Sequence, residues 1–192
     1  MNTFTIGGAT VSRIEEQYEA TFDANKFFAD WRPETVQQHR DWMVSDHYEP
    51  SKNMLKLSVH SWLIRVGGQT IVIDGCVGND KSRPARPMWD KLKTPYMERF
   101  VATGVKPEDV DLVMCTHLHN DHVGWNTKLV DGKWVPTFPN ARYLWHRADF
   151  EKYKDADPVK DPNNRAAFED SVRPIYEAGL ADMVDGAHTV NE

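Results

Sequence analysis

The sequence predicts a mixed α/β fold. Two apolar segments, Leu55 to Val66 and Thr70 to Ile73, are joined by Gly67-Gly68-Gln69 and read as a strand–turn–strand pair. A third, Asp111 to Cys115, is short and apolar, in the manner of a buried strand, and runs straight into a histidine-rich loop. Around these strands stand helix-start signals, Pro33-Glu34 and Thr94-Pro95-Tyr96-Met97-Glu98, each with an early proline and an early acid.

Taken in order, Thr3 to Glu16 alternates loosely about a Gly7-Gly8 turn and predicts an opening pair of strands. A helix is expected over Val36 to Val44, with His39 and His47 in or beside it as solvent-facing or core-packed rings. His60 and Trp62 share one face of the long strand, either in the core or at the mouth of a site. Residues 78 to 88 form a polar loop in which Lys81, Arg83 and Arg86 alternate with prolines. It is either a solvated connector or a cationic lip drawing in an anionic or ester-like substrate. A helix should follow Thr94 and end at Gly104, and Lys106 to Val110 is a turn feeding the strand at Asp111. Lys128 to Thr137 is a hairpin about Asp131-Gly132, whose Trp134, with Trp125, either walls an apolar pocket or packs the hairpin. Arg142 to Trp145 reads as a strand, His146 to Lys154 as a helix, and Arg165 to Ala178 as a helix bent at Pro174 and finished by Gly179. Leu180 to Val184 and Ala187 to Val190, about Asp185-Gly186, predict a final hairpin.

Bulk properties narrow the function classes. A chain of 192 residues suits one domain with a core. Its net charge of −6 argues against nucleic acid or an anionic membrane as partner. No apolar run reaches membrane-spanning length and no basic-then-apolar leader opens the chain, so a cytoplasmic protein is expected. Cys76 and Cys115 lie within apolar stretches and read as buried free thiols.

Chemistry concentrates in Thr116-His117-Leu118-His119-Asn120-Asp121-His122, where three imidazoles and a carboxylate fall within six residues at the end of a strand. An extended backbone points His117 and His119 to one side. Asp121 continues that alternation, and His122 leaves it only if the backbone turns. Two adjacent pockets follow: His117 and His119 serve one metal, Asp121 and His122 a second. Nitrogen and carboxylate donors without sulfur suit Zn²⁺ first, with Mn²⁺, Fe²⁺ or Co²⁺ as alternatives.

Thr116 to Gly124 resembles the signature of the metallo-β-lactamase-fold hydrolases. Trp62 to Val66, Gly67-Gly68 and Thr70 to Gly75 resemble that superfamily's strand–turn–strand–Asp-Gly element, and Asp74 to Asn79 with the long insert after it looks most like its quorum-quenching lactonase and organophosphate-hydrolase branch. The resemblance implies an αββα sandwich. It makes Asp74 an acceptor that steadies a metal-binding histidine or the metal loop, against the plainer reading of a turn cap. His146 resembles a structural feature of the family, not a ligand. A complete site of the family adds a third histidine to the first ion, normally in a Pro-Gly-His-like turn, then a bridging aspartate and a last histidine. The chain has no such turn, and His188 is the remaining candidate for the third ligand. The chain therefore reads as the N-terminal half to two-thirds of a single such domain, incomplete at its C-terminal side, with an exposed sheet edge and apolar face.

The implied activity is that of a dinuclear metallohydrolase, in which a metal-bound hydroxide attacks a lactone, ester or phosphotriester and Asp121 also relays a proton to the leaving alkoxide. A homodimer is the assembly the branch suggests. A glyoxalase-II-like thioesterase, a mono-iron oxygenase, and a non-catalytic or incomplete metal-binding fragment are the competing readings. The 192-residue chain alone is expected to be inactive.

Overall fold

The structure, a computed structural model, describes residues 2–190, without the side chains of Asn2 and Ala20. Among the described residues ten strands are present: β1 (Asn2–Ile6), β2 (Ala9–Asp23), β3 (Tyr48–Glu49), β4 (Met54–Val66), β5 (Gln69–Ile73), β6 (Leu112–Met114), β7 (Thr127–Val130), β8 (Lys133–Pro136), β9 (Arg142–His146) and β10 (Ala181–Val184). Eight of them form one mixed sheet in the order β1-β2-β4-β5-β6-β9-β10, with β3 paired to β4. The hairpin β7–β8 stands apart as a two-stranded sheet.

Contacts divide the chain into two compact units, residues 1–16 with 60–192, and residues 17–59. The smaller unit has its own core of Ala24, Val36, Met43, Tyr48 and Leu55. Its helices are short: α1 (Ala24–Phe27), α2 (Pro33–Gln38) and α3 (Arg40–Met43). The single helix expected over 36–44 is broken at His39, whose φ of −120° is not helical. His39 and His47 are both exposed and flank Trp42, with ring centroids 5.6 and 5.9 Å from it, which is the solvent-facing reading.

In the larger unit β5, β6, β9 and β10 run parallel, so the segments leaving β5, β6 and β9 emerge at one edge of the sheet. That edge carries Asp74, the histidine loop and His146. Strand parity separates the two faces. Leu63, Val72, Val113, Tyr143 and Trp145 lie on one face and are at most 1% exposed. The other face presents Ile64, Ile71, Ile73, Leu112, Met114, Leu144 and Val184, of which four are only partly buried, with Val190 laid against them. His60 and Trp62 sit on this second face, edge to face at 5.0 Å, and Phe4 meets Trp62 at 5.9 Å. They point away from Ser61, which lies beneath the Asp74 turn.

Helix α4 (Tyr96–Val101) precedes β6, and α5 (Arg147–Lys154) follows β9. His146 caps α5, its Nδ1 accepting the Ala148 N–H at 3.2 Å, which is a structural role. A helical run then covers 162–177, as α6 (Pro162–Ala167), a π turn (Phe168–Val172) and α7 (Arg173–Glu177). Pro174 explains the irregularity. It has no N–H to offer the preceding turn, and the Arg173 N–H reaches back to the Phe168 carbonyl instead.

Two expectations fail here. No strand returns after β10: residues 185–190 are irregular, and β10 pairs only with β9, in parallel. The final hairpin does not form: β10 pairs with β9 along one edge, Asp185 is engaged by Arg147, and Val190 lies against the sheet face instead of beside β10. The loop 78–88 is neither a solvated connector nor a cationic lip at two of its three cations. Lys81 and Arg83 are fully buried, and only Arg86 is exposed, near Trp89.

Candidate metal centre

The histidine loop begins where β6 ends. Leu118 is 1% exposed and faces inward, so His117 and His119 on either side of it face outward together. Their ring centroids are 4.4 Å apart. The backbone then turns, with the His122 N–H on the His119 carbonyl at 3.0 Å, and this brings the His122 ring within 4.0 Å of His117. Asp121 Oδ2 stands 3.6 Å from His122 Nε2. The edge of Tyr153, from α5, supports His119 at 5.5 Å. All four residues singled out in the sequence thus lie in one cluster. His188 does not join it: it is exposed and lines a cavity of about 370 Å³ with Leu112, Arg142 and Asp182, at the start of the strands whose other ends carry the loop.

Asp74 organises the cluster. Its carboxylate accepts the Thr116 N–H at 2.7 Å, the Thr116 hydroxyl at 2.9 and 3.0 Å, and His122 Nδ1 at 2.9 Å. Accepting from Nδ1 fixes the His122 proton there and leaves Nε2 as a lone pair on the Asp121 side. Burial, the largest single influence, lowers the His122 pKa, but the Asp74 hydrogen bond and the Asp121 and Asp74 charges outweigh it and the pKa stands raised. Burial and then the neighbouring His122 and His119 lower that of His117.

The loop is rigid because a second loop is laced to it. Gly75 N–H bonds the His122 carbonyl (2.5 Å), Gly124 N–H the Cys76 carbonyl (2.8 Å) and Trp125 N–H the Gly75 carbonyl (2.6 Å). Both Asp74 and Cys76 adopt left-handed φ, 61° and 50°. Such residues cost on the order of 1–3 kcal/mol each and persist only where the surroundings enforce them.

Glu16, from β2, is one enforcing group. It is 3% exposed and accepts the Val77 N–H (2.8 Å), the Gly78 N–H (3.0 Å) and Trp125 Nε1–H (2.6 Å). Trp125 is 5% exposed and stacked on Tyr96, so it belongs to the core and not to a pocket wall. The sequence reading missed Glu16, although its parity with Ile14 on a strand puts a carboxylate at a buried register. Burial raises its pKa from 4.5 to about 7 against the pull of those three donors. The folded state therefore holds a proton that the unfolded chain has released, and stability falls as pH rises from about 4.5 to about 7, by on the order of 3 kcal/mol. Guanidinium unfolding midpoints across this range should show that slope in the parent, and Glu16→Gln should remove it.

Two further ties were also illegible in sequence. The Asn120 backbone N–H and Nδ2 both donate to Asn164 Oδ1, at 3.0 and 2.8 Å, fastening the loop to α6. Behind the loop, Arg83 Nη1 and Nη2 donate to Asp170 Oδ2 and Oδ1 at 2.7 and 2.9 Å. Lys81 Nζ donates to Thr127 Oγ1 (2.6 Å) and to the Asp170 carbonyl (3.1 Å), lying 3.5 Å over the Trp134 ring. That carbonyl is the one an ordinary helix would bond to residue 174, which is proline. Two of the loop's three cations, Lys81 and Arg83, are thus spent on the π turn, which is why they form no lip.

The residues fit a divalent ion by the chemistry of the donors: imidazole nitrogens and one carboxylate, with one imidazole oriented by a buried acid. Among the described residues no group of three or more His, Cys, Asp or Glu side chains is placed to hold such an ion.

A family model for the metallo-beta-lactamase superfamily matches residues 55–191. The chain is a member of the metallo-β-lactamase superfamily. Among curated relatives of this superfamily member, N-acyl homoserine lactonases AiiB from Agrobacterium fabrum and Rhizobium rhizogenes are each 27% identical over 113 residues. Those matches cover 52% of this chain and 37% of the relative, so the chain spans well under half of their length. Among solved structures, a probable metal-dependent hydrolase from Staphylococcus aureus superposes with a TM-score of 0.75 at 15% identity, over 98% of this chain and 63% of that one. AidC, a dizinc quorum-quenching lactonase, gives 0.69 at 14%, over 98% and 62%. These likenesses share the mixed α/β fold of the superfamily, as the large mixed sheet indicates. The superfamily's fold implies divalent metal binding, and the relatives lie with the lactonase branch.

Proposed function

We propose that this chain carries part of the active centre of a metal-dependent hydrolase acting on lactones, with carboxyl esters and phosphotriesters as further substrates. The observation that carries this reading is the convergence of His117, His119, Asp121 and His122 with the Asp74–His122 hydrogen bond at 2.9 Å. The lactonase relatives favour the substrate order.

In this reading His117 and His119 hold one ion, and Asp121 with His122 Nε2 holds a second; Zn²⁺ is the first choice, with Mn²⁺, Fe²⁺ or Co²⁺ as alternatives. When bound, the ions supply a water of lowered pKa and positive charge for the carbonyl or phosphoryl oxygen. The protein's own part is to hold the His122 tautomer through Asp74, to keep the loop from spreading through Gly75 and Gly124, and to pass a proton from the Asp121 carboxyl to the leaving alkoxide. The ester or lactone is the partner, a homodimer is the proposed assembly, and no nucleic acid or membrane takes part.

Elemental analysis after Zn²⁺ or Mn²⁺ loading, followed by assays on γ-lactones and a chromogenic phosphotriester, tests the reading. A longer protein carrying these residues should hydrolyse at least the lactones. Asp121→Ala should lower the rate by about a hundredfold or more, the scale set by losing both a ligand and a proton carrier. With two donors per ion among the described residues, the 192-residue chain alone should bind metal weakly and show no turnover. One iron per chain with oxygen consumption would overturn the hydrolase reading.

A further inference from the structure

The Asp74 carboxylate reaches Thr116 and His122 only because Asp74 and Cys76, on either side of Gly75, hold left-handed backbone at φ 61° and 50°. A buried hydroxyl lies across that turn. Ser61 Oγ, on β4, donates to the Asp74 carbonyl at 2.5 Å and stands 3.3 Å from Cys76 Sγ. It accepts in turn from the Tyr96 hydroxyl at 2.6 Å. Ser61, Tyr96 and Cys76 are all 0% exposed.

The order of donors in this network is fixed. A phenol that donates to Ser61 Oγ obliges the serine proton to point at the remaining acceptor, the Asp74 carbonyl, and leaves the second oxygen lone pair for the Cys76 thiol. Each member is satisfied and none has an alternative partner in water, so the network holds one arrangement. Tyr96 is itself pinned by stacking on Trp125, at 4.9 Å and 15°.

We infer that Ser61 and Tyr96 are positioning residues: the relay Tyr96–Ser61–Asp74 carbonyl holds the turn at Asp74–Cys76 and thereby aims the Asp74 carboxylate at the histidine loop. Neither residue touches a substrate or a reacting atom. The consequence for catalysis rests on the hydrolase reading above, while the placement of the turn does not. This role separates two groups of amides. Thr116 N–H on Asp74 Oδ1 and Gly75 N–H on the His122 carbonyl depend on the turn. Asp111 N–H on the Thr70 carbonyl and Arg142 N–H on the Asp111 carbonyl lie at the far end of the strands.

The test is amide hydrogen exchange by NMR on the full chain without added metal, in the parent, Ser61→Ala and Tyr96→Phe. Exchange at Thr116 and Gly75 should accelerate by about tenfold or more in Ser61→Ala, and to a smaller extent in Tyr96→Phe, while Asp111 and Arg142 change by less than about twofold. The Asp74 carbonyl carbon should shift upfield in both variants as it loses or weakens its donor. Uniform acceleration at all four amides, or none at Thr116 and Gly75 with an unshifted carbonyl, would overturn the inference. Tyr96→Phe keeps the stacked ring and decides the matter if Ser61→Ala does not fold. Because no metal is present, failure of the hydrolase reading would leave these outcomes unchanged.

Discussion

Replacing Asp170 by Asn should destabilise the protein by about 3–5 kcal/mol, the usual cost of stranding a buried charge. Arg83 is 0% exposed and both of its terminal nitrogens are spent on that carboxylate. Lys81, also 0% exposed, has Asp170 Oδ1 within 3.6 Å. Asparagine keeps the shape and one acceptor but removes the charge that makes buried Arg83 tolerable; Lys81, whose pKa burial lowers from 10.5 to about 7, can shed its proton instead. Set against a typical stability of about 5–15 kcal/mol, the loss is a large fraction of the whole and should appear as a displaced urea midpoint. Removing all three charges together, as Lys81→Met, Arg83→Met and Asp170→Leu, should recover much of it, since apolar groups of similar volume often replace a buried ion cluster without penalty. If Asp170→Asn melts within about 1 kcal/mol of the parent, the cluster contributes little to stability.

Gly124→Ala should be comparably severe for a steric reason. A Cβ there would stand 1.8 Å from the Val77 carbonyl oxygen and 2.5 Å from Gly78 N. Both are backbone atoms of the facing loop, itself clamped by Glu16, so neither can swing aside. The loops must separate, which breaks the Gly124–Cys76 and Trp125–Gly75 hydrogen bonds. The combined cost is at least about 3 kcal/mol, and metal uptake should fall with it. Gly8→Ala is the matched control: a Cβ there meets nothing within 4 Å and the backbone is not left-handed, so thermal unfolding should move by less than about 0.5 kcal/mol.

Much of the site could be read from residue order because its donors are local. Within one strand-end loop, spacing alone puts His117 and His119 on one side of Leu118, and a one-residue offset demands the turn that carries His122 back. The strands from Leu55 to Ile73 and at Arg142 were legible for the same reason, since apolar runs and glycine turns act over a few residues.

What the loop needs in order to stay in place was not legible. Glu16 reaches Val77 and Trp125 across separations of 61 and 109 residues, Arg83 finds Asp170 across 87, and Tyr96 finds Ser61 across 35. A lysine and an arginine among prolines look the same in sequence whether solvated or sunk beneath a helix. The missing N–H of Pro174, which frees the Asp170 carbonyl, together with Thr127, the Trp134 ring and the Asp170 carboxylate, makes the buried place favourable for Lys81. His188 shows the converse. A histidine late in the chain suits a third ligand by order, but after β10 the chain turns back along the sheet face, with Val190 laid against it, and leaves His188 beside Arg142 and Asp182 at the far end from the loop.

By itself, then, the sequence determined that His117, His119, Asp121 and His122 fall together at a strand end, and the family to which the chain belongs, because those are properties of neighbouring residues and backbone periodicity. Only the tertiary structure decided which acids are structural, which cations are buried and which histidine stands apart. Those outcomes depend on desolvation and on partners brought together by sheet order, and neither quantity exists until the chain has folded.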